Sequence, residues 1–261
     1  MGDNVCRGSR KVDIEEEEIR RKSEGVERGR MTRTVALNKI YNQDCMDGMK
    51  GIPDKFFNLA IVDPPYFSGP ERRGFYGRRV SPIGVQRHYE KSENWDVPTA
   101  EYFDELIRVS KEQIVWGRNY FDYPFGPGCI VWDKVNGNSS FSDCEIAYCS
   151  MHDSVRLFRY MWNGMMQGAS MLNGAVQRGD KRLNEKRIHP TQKPIELYKW
   201  ILYTYAKPGF KILDTHVGSG SSIIACIDMG FEYLGFEIAP HYHSLAEERI
   251  KEFQAQIRMN I

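Results

Sequence analysis

From about residue 38 the chain alternates short apolar runs with longer amphipathic stretches. The runs are Asn58-Leu-Ala-Ile-Val62, Gln113-Ile-Val-Trp116, Cys129-Ile-Val-Trp132, Glu145-Ile-Ala-Tyr148, Lys211-Ile-Leu213 and Tyr233-Leu-Gly-Phe236. Each is bounded by Gly, Pro or Asp, as parallel strands buried on both faces are. Between them the period becomes helical. Phe103, Leu106, Ile107 and Ser110 share a face that Thr99 can cap. Ile195, Tyr198, Ile201, Leu202 and Tyr205 mark a second helix, with Pro194 in its first turn and Pro208-Gly209 beyond its end. Ile223–Met229 is a third, closed by Gly230. A last helix starts near Pro240 and buries Ala246, Ile250, Phe253 and Ile257. Strands alternating with such helices predict a three-layer α/β fold around a largely parallel sheet.

Three stretches break the pattern. Residues 1–30 carry Glu15 to Glu18, then Arg20, Arg21 and Lys22, and read as a charged tail or a solvated helix. Residues 67–98 are rich in Gly, Pro and Arg, too long for an ordinary connection. Residues 161–190 combine Gly164, Gly168, Gly174 and Gly179 with a run of Lys and Arg, as an insertion would. The first residues lack the apolar core of a secretory signal, and no apolar run is long enough to span a bilayer, so no membrane role is expected. The six cysteines are scattered without a C-x-x-C pair, which predicts reduced thiols in a cytoplasmic protein and no metal site.

Chemistry concentrates at the ends of three segments. Asp63-Pro64-Pro65-Tyr66 follows the strand ending at Val62, where open α/β sheets bind ligands. The two prolines hold the Pro64 carbonyl in one direction. Asp63 and that carbonyl could accept the two N–H groups of a planar exocyclic amine, while Tyr66 stacks on its ring. A Pro-rich turn is the competing reading. Asp214-Thr-His-Val-Gly218-Ser-Gly220-Ser-Ser222 follows the strand ending at Leu213 and leads into a helix. The next strand ends at Glu237, placed to take ribose hydroxyls. This is the layout of a nucleoside-binding βαβ unit, but no Lys follows the glycines, so a pyrophosphate is disfavoured. A single G-x-G is weak by itself. The third segment, His189-Pro-Thr-Gln-Lys193-Pro194, opens a helix, and Lys193 alone reads as a solvated surface lysine.

In this order the three motifs resemble those of the S-adenosylmethionine-dependent DNA amino-methyltransferases that modify adenine N6 or cytosine N4, in the subgroup whose D-P-P-Y motif precedes the Gly-rich loop. The resemblance spans roughly residues 38–250. Trp95-Asp96, Ile130–Lys134 and Phe141–Ala147 are similar to segments of phage-borne members. It implies a Rossmann-like methyltransferase fold over 31–261 with a small target-recognition insertion at about 161–188. It implies that Asp63, Pro64, Pro65 and Tyr66 form the catalytic target-base pocket. Cofactor binding falls to Asp44, Asp214, His216, Gly218, Gly220, Ser221 and Glu237, with Lys193 and Pro194 at the methionine end. A surface-turn role competes for Asp44. Thr215-His216-Val217 stands where relatives commonly carry an aromatic. Asp at the first catalytic position is typical of adenine enzymes. Cytosine-N4 transfer and an inactive DNA-binding subunit remain the rival readings.

The implied partner is double-stranded DNA, whose target base must leave the stack. Arg72, Arg73, Arg78 and Arg79 in one irregular segment, and Arg178, Lys181, Arg182, Lys186 and Arg187 in the other, are the expected phosphate contacts. Residues 67–90 are expected to form a mobile loop over the base. A homodimer and a separate cognate nuclease are left open. The formal charge of +1 excludes only a uniformly basic surface, because residues 178–193 carry six basic and two acidic side chains.

Overall fold

The computed structural model describes residues 35–66, 89–90, 96–136, 142–163, 166–170, 182 and 184–259. The tail at 1–30, nearly all of the 67–98 segment, and Arg72, Arg73, Arg78, Arg79, Arg178 and Lys181 lie outside them. The architecture belongs to the unit Ala36–Ile261.

All six apolar runs become strands. In chain order the strands are β1 (Lys39–Asn42), β2 (Phe57–Val62), β3 (Ser110–Trp116), β4 (Cys129–Asp133), β5 (Cys144–Cys149), β6 (Val155–Arg159), β7 (Trp162–Asn163), β8 (Met166–Gln167), β9 (Lys211–Asp214) and β10 (Glu232–Glu237). The helices are α1 (Cys45–Met49), α2 (Ala100–Val109), α3 (Ile195–Tyr205), α4 (Ser221–Asp228) and α5 (Pro240–Met259). Eight strands form one sheet in the order β1-β10-β9-β2-β3-β5-β4-β6, while β7 and β8 pair separately. Every pairing in the large sheet is parallel except those of β5, which runs against β3 and β4. Glu145–Tyr148 is therefore not one of the parallel strands that its sequence pattern suggests. The reason is the link: residues 134–143 are too few for the helical crossover that a parallel return needs.

Burial explains which runs were legible. β2 and β10 are almost wholly buried, with Leu59, Ala60, Ile61, Val62, Leu234 and Phe236 in the core. β6 is an edge strand whose Val155 and Leu157 are 67% and 58% exposed, so it carries no continuous apolar signal. Helices cover both sides of the sheet; α3 and α4 pack on each other, as do α1 and α2. Two details of α2 differ from expectation. Thr99 occupies its N-cap, but the hydroxyl bonds the Glu101 carboxylate instead of a backbone N–H. Ser110 starts β3, and its hydroxyl donates to the Leu106 carbonyl at 2.5 Å.

The order of the strands places the site. From β2 the chain moves outward to β3; from β9 it moves the opposite way, to β10. β2 and β9 are neighbours, with Leu59 opposite Ile212 and Ala60 opposite Leu213. A crevice opens where such crossovers diverge, at the carboxyl ends of the strands. Asp63 follows β2 and Asp214 ends β9. Among the described residues, no helix is long and apolar enough to cross a membrane, and no cluster of His, Cys, Asp and Glu could hold a metal.

Candidate active site

One cleft at this divergence is lined by Asp63, Pro64, Pro65 and Tyr66 on one wall, and by His216, Val217, Gly218, Ser219, Glu237 and Ile238 on the other. His189, Thr191, Gln192, Lys193, Tyr198 and Tyr242 complete it. The three sequence motifs thus meet in one place.

Lys193 is not at the surface; it is 3% exposed. Its Nζ lies 2.5 Å from Asp63 Oδ2 and 2.9 Å from Glu145 Oε2. The other oxygen of Glu145 pairs with Lys134, and Tyr66 donates its hydroxyl to Glu145 Oε2 at 3.1 Å. Two carboxylates and two ammonium groups therefore form a line, Lys134–Glu145–Lys193–Asp63, that ends at the cleft wall. Burying any one of them alone would be costly. Burial tends to raise Glu145, but Lys193 and Lys134 outweigh it and bring its pKa down to about 2. Burial would lower Lys193, yet Asp63 and Glu145 push it above its ordinary value. Asp63 ends raised, because burial exceeds the opposing pull of Lys193. Among the described residues, Asp63 Oδ1 is buried in the cleft without a hydrogen-bond partner.

Tyr66 is held from several sides. Its ring stacks on Tyr120 and meets Phe121 edge-on at 6.5 Å. Lys193 Nζ lies 5.5 Å from its centroid. Gly117, at φ +76°, directly follows β3, and a Cβ there would run into the Tyr66 ring. Both the backbone angle and the close approach call for glycine.

The Gly-rich loop is braced by its own acids. Asp214 Oδ1 accepts from His216 N at 2.9 Å, and Oδ2 accepts from the Ser222 hydroxyl. Burial raises Asp214 to a pKa of about 7. Glu237 accepts from Gly218 N at 2.8 Å and from Ala239 N at 2.9 Å. Gly218 has φ +52°, and a Cβ on it would point at the His189 ring. His216 packs edge-on to Tyr102 at 5.5 Å; its Nδ1 lies 2.9 Å from Thr215 Oγ1, whose other contact is the Tyr102 hydroxyl at 2.5 Å. Burial lowers His216 to about 4 and His189 to about 3, so both rings are neutral near pH 7.

A second ion pair ties the loop to the segment before α3. Arg249 donates to the Ser219 carbonyl at 2.8 Å, to Ser221 Oγ at 2.9 Å and to Glu185 Oε2 at 2.7 Å. The other oxygen of Glu185 accepts from Ile195 N, the first amide of α3, at 2.8 Å. Arg187 lies 4.4 Å over the Trp162 ring. Arg182 and Lys186 are exposed at the rim of this segment.

The structure does not bring every expected residue to the cleft. Asp44 is not among the lining residues; it caps α1, accepting from Met46 N at 2.7 Å and Asp47 N at 3.2 Å. Asp214, Gly220, Ser221 and Pro194 lie behind the lining: Gly220 and Pro194 are helix N-caps, and Ser221 starts α4. Sequence reasoning assigned no role to Glu145, Lys134, Tyr120, Arg249 or Glu185. Their partners are remote in sequence, and no spacing marks them.

Residues 131–248 match the family model described as DNA methylase, N6_N4_Mtase. The chain is 24% identical over 251 residues to the type II methyltransferase M.HinfI of Haemophilus influenzae, covering 84% of this chain and 69% of that protein. It is likewise 24% identical over 246 residues to M.HpaI of Haemophilus parainfluenzae, covering 81% and 74%. Among solved structures, the M1.HpyAVI–SAM complex aligns with a TM-score of 0.49 at 19% identity, covering 81% of this chain and 98% of that one. From β4 into α5, residues 131–248 thus carry a likeness to the N6_N4 DNA methylases.

Proposed function

We propose that the protein transfers a methyl group from S-adenosylmethionine to the exocyclic N6 amine of adenine in a specific sequence of double-stranded DNA. The observation that carries this reading is Asp63 Oδ1, buried in the cleft with no hydrogen-bond partner among the described residues while Lys193 holds Oδ2. One free acceptor beside the Pro64 carbonyl suits an amine with two N–H donors. Asp at this position favours adenine over cytosine by resemblance to the family.

The cleft fits the nucleoside and methionine parts of the cofactor. Gly218 presents backbone with no side chain across the opening, and Glu237 retains lone pairs beyond its two backbone bonds. Glu237 would hold the ribose, and Gly218 with the neighbouring loop the methionine part. When bound, the cofactor supplies an electrophilic methyl group. The chain does the rest by position. Asp63 and the Pro64 carbonyl grip the amine hydrogens and direct the nitrogen lone pair; Tyr66 supports the base. Holding reactants in attack geometry is the main catalytic resource here. No covalent enzyme intermediate is required.

DNA approaches from the carboxyl end of the sheet, with Arg182 and Lys186 as phosphate contacts from the described residues. The test is expression in a methylation-free host, followed by modified-base sequencing and mass spectrometry of the nucleosides. N6-methyladenine at one sequence motif supports the reading. N4-methylcytosine supports the cytosine rival, and unmodified DNA from a host expressing folded protein contradicts the activity.

A further inference from the structure

Glu145 and Lys134 come from the β4–β5 hairpin, outside the three motifs, yet they meet the catalytic motif at two points. Glu145 Oε2 accepts the Tyr66 hydroxyl and also lies 2.9 Å from Lys193 Nζ, the group paired with Asp63. Lys134 anchors the opposite oxygen of Glu145. Trp132 stands directly across from Glu145 in the hairpin and is fully buried. The Lys134 ammonium lies 5.2 Å over the Trp132 ring. The hairpin therefore delivers both charges from a rigid frame.

We propose that Glu145, held by Lys134, is a positioning residue for methyl transfer: it shares the Lys193 ammonium with Asp63 and fixes Tyr66, so that one Asp63 oxygen stays turned toward the incoming amine. This rests on the reading that Asp63 accepts the amine. Without Glu145, Lys193 would belong to Asp63 alone and could draw the carboxylate away from the cleft. Without Lys134, Glu145 would turn its full charge on Lys193 and loosen the grip of Lys193 on Asp63.

The charges facing Asp63 give this arrangement a directional signature. Lys193 precedes α3, Glu145 lies on β5, and Lys134 follows β4; Lys193 and Lys134 favour ionised Asp63, while Glu145 opposes it. Asp63 also interacts with Tyr66, Tyr102, Tyr198 and Asp214, which both variants below leave in place. Asp63 must be ionised to accept, so its protonation sets the acid limb of the rate.

Single-turnover methyl transfer by the full chain, with saturating cofactor and DNA, would be followed against pH for wild type, E145Q and K134M. Glu145→Gln removes a charge that disfavours ionised Asp63, so the acid limb should move to lower pH. Lys134→Met removes a charge that favours it, so the limb should move to higher pH. Each shift should be about half a pH unit or more. Cofactor binding and circular dichroism report folding, and either variant alone carries a sign if the other fails to fold. Limbs that coincide with wild type, or that move in the same direction, overturn the proposal. The underlying reading fails differently: Asp63→Asn would then transfer methyl groups at the wild-type rate, and this proposal would fall with it.

Discussion

Tyr66 and Tyr120 stack with ring centroids 5.0 Å apart and planes inclined by 18°. The ring expected to receive a base thus already has an aromatic partner. Tyr120 is 52% exposed and belongs to a short 3-10 turn, Arg118–Tyr120, whose last amide bonds the Gly117 carbonyl at 2.9 Å. Such pairs contribute about 0.5–1.5 kcal/mol. Tyr120→Ala should ease entry of a flipped base by roughly twofold to tenfold, at the magnitude of that stack. Fluorescence of 2-aminopurine at the target position measures it. A weaker signal than wild type would assign Tyr120 to holding the base instead.

Asp63→Ala should lower the methyl-transfer rate by about a thousandfold or more, as loss of a positioned catalytic group does. Cofactor affinity should remain within about threefold, because the Gly218–Glu237 side of the cleft is separate. Isothermal titration with cofactor and single-turnover kinetics give the two values. Equal losses in both would point to collapse of the cleft.

Gly117→Ala introduces a Cβ against the Tyr66 ring at a positive φ. The backbone cost alone is about 1–2 kcal/mol. Tyr66 must shift, so transfer should fall tenfold or more while cofactor binding persists. Thermal unfolding and single-turnover rates distinguish a destabilised chain from a displaced ring.

Arg249 joins the cofactor loop to Glu185, and both side chains are largely buried. Arg249→Met would leave the Glu185 carboxylate unpaired and the Ser219 carbonyl without this donor. Breaking a buried pair from one side costs about 3–5 kcal/mol. Denaturant unfolding should show that loss, and it should be smaller for the Arg249→Met, Glu185→Leu double variant.

His189 is half-buried at the cleft wall and neutral near pH 7, its pKa lowered to about 3 by desolvation and by the Lys193 charge. A histidine whose folded pKa is depressed binds fewer protons folded than unfolded. Acid therefore favours the unfolded chain, and stability contributed by neutral His189 is lost as pH falls from about 6.5 toward 3. The slope from this group is at most about 1.4 kcal/mol per pH unit. Asp214, raised to about 7, works in the opposite sense between about 4 and 7. His189→Asn, which can keep an acceptor toward Thr191, isolates the histidine part: its melting temperature should fall less steeply on acidification than that of wild type. Parallel curves would show that His189 does not govern the acid limb.

The fold was legible where the core is continuous. Runs such as Leu59–Val62 and Tyr233–Phe236 are buried on both faces and announce themselves by composition. β6 was not legible, because an edge strand with Val155 and Leu157 exposed has only one side to pack. The cleft was legible where a motif follows a strand, as at Asp63 and in the loop of Gly218. Lys193 read as surface because nothing local reveals that Asp63 and Glu145, 130 and 48 positions away, will surround it. Asp44 could be read as a turn or a ligand, and its bonds to the amides of Met46 and Asp47, which make it a cap, leave no mark in the sequence.

The inversion of β5 has a consequence for how Glu145 is placed. In the parallel strands the reactive end is the last residue; in β5 it is the beginning, where Glu145 is second. Side chains on a strand alternate between the two faces. A one-residue slip of the hairpin would turn Glu145 to the opposite face and bring a neighbour toward Lys193. The acid is thus indexed by the pairing of Trp132 with Glu145 rather than by the length of the connecting segment. Residues inserted into the link between β4 and β5 leave that index intact, whereas a single residue inserted within β5 after Glu145 erases it.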